Sequence, residues 1–261
     1  MMHTPGFTRI SPATFILILI LSTGTAFAQD SSSSGTTAAP AQPSSQLVSD
    51  LFRPLGRDMR GMLSRDNLFI ASIGGLGAAA GAQFDNRATA LRWNQNLGSA
   101  MEPGKIAGGF IVQAGGALAT YAIGRATDVP KVTSLGASLF RAQFVSQTTV
   151  QTIKFAARRT RPDGTSLSFP SGHSASAFAT ASVLQGELGW KVGAPAYGAA
   201  AWVAASRMHA KRHYLSDVVA GAAIGIMAGR SVTLGKGQMK FAMSPAPVPR
   251  GIALNFTKVG A

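Results

Sequence analysis

The sequence predicts an all-α protein, a bundle of about six helices with a short tail of β-hairpin character. Three observations carry this expectation. From Asn67 onward, apolar blocks alternate with short charged connections. Most blocks exceed an ordinary strand in length. They are rich in Ala and Gly rather than β-branched residues, which favours helix over strand.

The blocks run Leu68–Phe84, Ile106–Gly124, Val132–Phe155, Ala175–Trp190, Ala194–Ala205 and Val218–Gly229. Glycines such as Gly74, Gly75, Gly115 and Gly116 weaken helix propensity, but they let helices approach closely. Leu68–Phe84 and Ile106–Gly124 carry no charge and are near the length that spans a bilayer. The others are short or interrupted, as by Glu187. A soluble bundle and a membrane bundle are therefore both open. The weak hydrophobicity of Ala-Gly blocks leans toward the soluble one.

Ahead of the bundle, Phe15 to Leu21 is a short apolar run, and Ala26-Phe27-Ala28 supplies a small-x-small cleavage pattern. Residues 1–28 thus read as a secretory signal peptide, which places the chain outside the cytoplasm. Residues 29–46 are mostly Ser, Thr, Ala, Pro and Gln without apolar periodicity, a flexible low-complexity linker. Leu47, Val48, Leu51, Phe52 and Leu55 then fall at helical spacing, with Arg53, Arg57 and Arg60 among and after them. The helical domain is expected over 47–234. In the tail, 235–261, Lys240–Met243 and Ile252–Thr257 partly alternate around a proline-containing stretch.

Composition excludes several classes. At 46% hydrophobic residues the chain is no disordered protein. With no cysteine it holds no disulfide, thiolate metal site or cysteine nucleophile. Its formal charge of +14 points to an anionic partner.

Three segments carry the chemistry. In the first, Lys154 and Arg161 are followed by Pro162, which pushes Arg161 past a helix end. A point charge and a planar fork suit a tetrahedral oxyanion, although a solvated basic helix end has the same composition. In the second, Pro170-Ser171-Gly172-His173 leads into an apolar block. Ser171 is a natural N-cap, and Gly172 permits close backbone approach to a ligand. A helix starting here aims free N–H groups at an anion, with His173 in the first turn. In the third, Ser206-Arg207 precedes His213 and Asp217. One helical turn brings a histidine and a carboxylate four apart together, so the acid fixes the tautomer of a basic ring. The plainer reading makes Asp217 a helix cap in a basic loop.

In this order the segments resemble the signature of the type 2 phosphatidic acid phosphatase superfamily, which also contains class A acid phosphatases and vanadium haloperoxidases. Lys154, Arg161, Pro162, Pro170, Ser171, Gly172, His173, Ser206, Arg207, His213 and Asp217 carry the resemblance. It extends over the helical blocks, roughly 67–229, and leaves out the linker and tail.

The resemblance implies a phosphatase that needs no metal and no cofactor. His213 would attack phosphorus and form a phosphohistidine, with Asp217 orienting it. His173 would protonate the leaving oxygen. Lys154, Arg161, Ser171, Gly172 and Arg207 would hold the phosphoryl oxygens. The substrate would be a lipid phosphate such as phosphatidic acid or a small soluble ester, with a lipid diphosphate as the alternative. A haloperoxidase that binds vanadate in the same site is the more distant one. An exported chain would work in the periplasm, free or at a membrane with its site facing the periplasm, and secretion argues against nucleic acid. Arg158, Arg159, Lys211 and Arg212 flank the motifs and read as steering charge or solvated surface. His209 has no role in this scheme.

Overall fold

The computed structural model describes residues 43–90, 98–233, 240–248 and 251–259. The expected signal peptide and residues 29–42 of the expected linker lie outside the described residues.

The chain enters through α1 (Pro43–Leu51), α2 (Leu55–Gly61), α3 (Arg65–Ala82) and α4 (Asp85–Ala90). It continues through α5 (Gly98–Ala107), α6 (Phe110–Ala126), α7 (Pro130–Ala157), α8 (Gly172–Leu188), α9 (Trp190–His209) and α10 (Leu215–Thr233). Six of these, α3 and α6 to α10, have 17 or more residues and fall on the six apolar blocks.

Two boundaries differ from expectation. The first helix starts at Pro43, inside the stretch read as linker, because Leu51 at its end is buried with Tyr121 and Ala137. A proline is tolerated in a first helical turn. The block Ile106–Gly124 is two helices, not one. The axis bends by 59° between α5 and α6, at Gly108 and Gly109. Gly109 is extended as the N-cap of α6. A side chain on Gly108 would press into Val203 and the Cβ of His173. The break therefore seats the α5–α6 corner against the helix that carries His173.

Helices α8 and α10 form the centre and run parallel. Gly221, Gly225 and Gly229 of α10 lie directly on Ser171, Ala175 and Ala179 with Ser182 of α8, where a Cβ would collide with backbone. Small residues spaced four apart let two helix backbones touch. Both N-termini consequently emerge at the same end of the bundle. Around this pair, α9 runs antiparallel to α8 through Ala177, Ala181, Ala200 and Val203. Helix α3 runs antiparallel to α10, with Gly74 against Ala223 and Gly81 against Leu215 and Ser216. Helix α7, 28 residues and about 42 Å long, spans the bundle from end to end. Met62, Val145, Val150, Ala175, Ile224, Met227 and Ala228 make one core cluster between α7, α8 and α10.

Among the described residues, α10 alone is a single straight helix long and apolar enough to cross a membrane, and most of it is buried inside the bundle. Large apolar side chains face outward elsewhere. Leu76 of α3 is 73% exposed, Ile111 of α6 84% and Trp190 of α9 71%.

The tail forms an antiparallel pair, β1 (Lys240–Val248) with β2 (Gly251–Val259), and Lys240 stands opposite Val259. The strands run through Pro245 and Pro247, which the sequence left between them. In a two-stranded ribbon every strand is an edge, where a missing N–H is tolerated.

Candidate active site

The helix polarity collects the three sequence segments at one end. Lys154 lies in the last turn of α7, and Arg161 in the loop that follows. Ser171, Gly172 and His173 open α8. Arg207 lies in the last turn of α9, His213 in the next loop, and Asp217 in the first turn of α10. All eight candidate residues thus sit at the end of the bundle where α8 and α10 begin.

Helix α7 ends because Arg158 takes a left-handed conformation with φ 46°. Arg161 is therefore carried by a tight turn, in which its N–H donates to Thr165 O at 2.7 Å. Arg161 Nε and Arg207 Nε and Nη1 are buried and have no hydrogen-bond partner among the described residues. A buried donor left unpaired costs about 1–3 kcal/mol, more for a charged group. Both guanidinium groups are held below their ordinary pKa, first by burial and then by the Arg212 charge. Lys154 is lowered to about 8, by burial and then by Arg161. Its Nζ donates to Leu167 O at 2.7 Å, so it also pins the α7–α8 loop. Three cations that repel one another, two with unused donors, form a site short of negative charge.

The α8 N-terminus completes the cradle. Ser171 caps the helix, its Oγ accepting from Ser174 N at 3.4 Å. The first-turn N–H groups precede the intrahelical ladder, and the helix dipole adds positive potential. Gly172 has a second reason to be small, because a Cβ there would lie 3.3 Å from Gln147 Oε1. Gln147 in turn donates to Gly172 O at 3.0 Å.

His173 Nε2 lies 3.1 Å from Lys105 O, at the α5–α6 corner. A carbonyl only accepts, so this nitrogen carries the proton and Nδ1 is left as the acceptor of the neutral ring. Burial lowers the His173 pKa to about 4, with the Arg207 charge adding to the effect. His213 is also lowered, first by burial, and Asp217 opposes that shift.

Asp217 is placed differently from the expected pairing on one helical turn. His213 precedes α10 rather than joining it. Its Nδ1 stands 3.7 Å from Asp217 Oδ2, beyond hydrogen-bond reach, and has no hydrogen-bond partner among the described residues. That oxygen accepts instead from Tyr214 N at 2.8 Å and from Ser168 Oγ. The bond to Tyr214 is the helix-capping role of an acid in the first turn, reaching back to the residue before the helix. Asp217 is thus cap and histidine neighbour at once.

Sequence reasoning also missed Arg159, which is no solvated surface charge. Its Nη1 donates to Asp217 Oδ1 at 2.9 Å and its Nη2 to Asp85 Oδ2 at 2.7 Å. The guanidinium carbon lies 4.2 Å from the centre of the Tyr214 ring. Of the other flanking cations, Arg212 pairs with Asp163 at 2.8 Å, and the exposed Arg158 turns back onto its own helix end. Asp85 and Arg159 are 74 residues apart, so no local spacing could announce the pair. Among the described residues, no group of three His, Asp or Glu side chains is placed to hold a metal ion.

Comparison with known proteins adds three findings. Residues 131–238 match the family model described as the PAP2 superfamily. Over 82 residues the chain is 44% identical to the lipid A 1-phosphatase of Porphyromonas gingivalis; the match covers 29% of this chain and 18% of that protein's length. A transmembrane PAP2 type phosphatidylglycerolphosphate phosphatase from Bacillus subtilis gives a TM-score of 0.46 at 19% identity, over 74% of this chain and 96% of that one.

Proposed function

We propose, from the premise that residues 131–238 belong to the PAP2 superfamily, that the protein is a metal-independent phosphatase acting on phosphorylated lipid. One observation carries the reading. Half-buried Arg161 and buried Arg207 hold buried N–H groups with no partner among the described residues, in the same site as His213 and His173. A phosphoryl group supplies the acceptors these donors lack. Preorganised positive charge is what phosphoryl transfer chiefly requires, and here side chains supply it in place of a divalent ion.

In the proposed cycle, the lone pair of His213 Nε2 attacks phosphorus, and the bond to the leaving oxygen breaks. Asp217 faces Nδ1 and stabilises the positive ring that forms. His173 gives a proton to the departing alkoxide. Water then attacks the phosphohistidine, the P–N bond breaks, and inorganic phosphate leaves with His213 restored. With its pKa near 4 in the empty site, His173 is neutral at pH 7. The incoming dianion offsets the Arg207 charge and shifts that value upward, toward the protonated ring that the proton transfer needs.

Lipid is favoured over soluble esters by the outward apolar side chains of α3, α6 and α9 and by the net charge of +14. The relation to a lipid A 1-phosphatase points the same way. Such a surface suits an anionic membrane, with the site working outside the cytoplasm as the expected signal peptide implies.

The test is phosphate release by the purified chain from detergent-dispersed phosphatidic acid, a polyprenyl diphosphate and an aryl phosphate, with His213→Ala as control. Preferred turnover of a lipid, lost in the control, is the expected result. Equal or better turnover of the aryl phosphate would make it a soluble-ester phosphatase. Vanadate-dependent halide oxidation without phosphate release would replace hydrolysis with peroxide chemistry.

A further inference from the structure

We propose that Arg159 and Asp85 are positioning residues of this site: Arg159 clamps one oxygen of Asp217, and Asp85 anchors and tempers the clamp. The proposal deepens the phosphatase reading and rests on it for its kinetic consequence only.

The two oxygens of Asp217 are divided. Oδ1 takes Arg159 Nη1 at 2.9 Å. Oδ2 takes Ser168 Oγ and Tyr214 N, and faces His213 Nδ1. The carboxylate plane is thereby fixed from both sides, with the edge toward His213 kept for the ring. Arg159 is itself held at three points. Nη2 binds Asp85 Oδ2, Nη1 also reaches Ser216 Oγ at 2.7 Å, and the Tyr214 ring covers the guanidinium. Asp85 is 3% exposed and fastens the start of α10 as well, accepting from Ser216 N at 3.0 Å and Ser216 Oγ at 2.6 Å. Helix α4 thus enters the site through Asp85.

The arrangement has an electrostatic result beyond geometry. Arg159 neutralises part of the Asp217 charge that His213 senses, and Asp85 returns part of it. The charged and titratable groups facing His213 are Lys154 of α7, Arg161 of the α7–α8 loop, His173 of α8 and Asp217 of α10; Arg159 meets Asp217, and Asp85 meets Arg159. Removing the Arg159 charge favours the protonated ring, so the His213 midpoint rises. Removing the Asp85 charge leaves Arg159 undivided on Asp217, so the midpoint falls. A purely structural role predicts no such pair of opposite shifts.

The experiment titrates the His213 ring by NMR in the full, histidine-labelled chain without substrate. Arg159→Gln is expected to raise the midpoint by about one pH unit, and Asp85→Asn to lower it by less. Arg159→Lys keeps the charge and is expected to restore most of the wild-type value. Arg158→Gln, one residue away and outside the site, serves as the control and is expected to titrate as wild type. With phosphatidic acid, Arg159→Gln is expected to lower kcat about 10–100-fold with KM changed less than about threefold, and to move the acid limb to higher pH.

Shifts of the same sign in Arg159→Gln and Asp85→Asn, or no shift in either, would overturn the proposal. So would a raised KM at unchanged kcat, because Arg159 would then contact substrate. If Arg159→Gln does not fold, the sign of the Asp85→Asn shift decides alone. If the wild type releases no phosphate from any ester, the functional reading falls, while the ring titration still decides the role of Arg159.

Discussion

Helix α7 borders two arginine sites, one toward each end, and the two are built to opposite rules. Toward its N-terminal half, Arg141 is 5% exposed and spent on its neighbours: Nε binds Asp58 Oδ2 at 2.8 Å and Nη1 binds Asp50 O at 3.1 Å. Nearby, Tyr121 Oη donates to Asp50 Oδ2 at 2.9 Å. That cluster locks α1 and α2 onto α7. At the other end, half-buried Arg161 and buried Arg207 hold buried N–H groups that find no hydrogen-bond partner among the described residues. A charge that is buried and paired supports the fold, whereas a charge that is buried and unpaired waits for a ligand. Arg159 stands between the two cases, fully paired yet inside the site.

The comparison is broken most severely by removing the proposed nucleophile. His213→Ala is expected to lower phosphate release by more than about a thousandfold, with thermal unfolding unchanged, as activity and melting assays on one preparation would show. Next, Arg207→Gln is expected to cost about 10²–10³ in kcat, while the melting temperature holds or rises because an unpaired buried charge is gone. Arg141→Gln should do the reverse. It strands Asp58 and is expected to cost about 3–5 kcal/mol in denaturant unfolding, with normal kcat per folded molecule. Equal losses of stability in both variants would erase the distinction between the two ends.

A smaller effect is set by pH. His173 and His213 both have lowered values in the folded chain, so the unfolded chain binds more protons in acid. For His173, stability is complete above 6.5 and is lost as pH falls from there toward about 4. Phosphate or vanadate bound beside Arg207 should raise the His173 midpoint and narrow that window. A ring titration with and without inorganic phosphate checks this, and an unmoved midpoint would place the anion elsewhere. The smallest expected effect is none: EDTA should leave turnover intact, whereas loss of activity restored by a divalent ion would contradict the metal-free reading.

Much of this was legible in the sequence for physical reasons. Apolar blocks longer than a strand favour helix, and each of the six carries a long helix, although Ile106–Gly124 is broken at Gly108 and Gly109. The gathering of the candidate residues at one end was legible because they lie in short local motifs such as Pro170-Ser171-Gly172-His173. What escaped were relations that depend on tertiary approach. The tight fit at Gly108, where a Cβ would meet Val203 and His173, depends on residues about 95 and 65 positions away. Arg159 looked like any basic residue until α4 brought Asp85 beside it. The His213–Asp217 spacing suggested one helical turn. Tyr214 N and Ser168 Oγ hold the carboxylate instead, and the ring stays in the loop.

The most direct measurement of the central claim is to trap the covalent intermediate. The chain would be mixed with phosphate-labelled phosphatidic acid, quenched within milliseconds in base, and mapped by mass spectrometry. The account predicts an acid-labile, base-stable phosphoryl group on His213 that is absent from His213→Ala. Label on another residue, or steady turnover by His213→Ala, would contradict it.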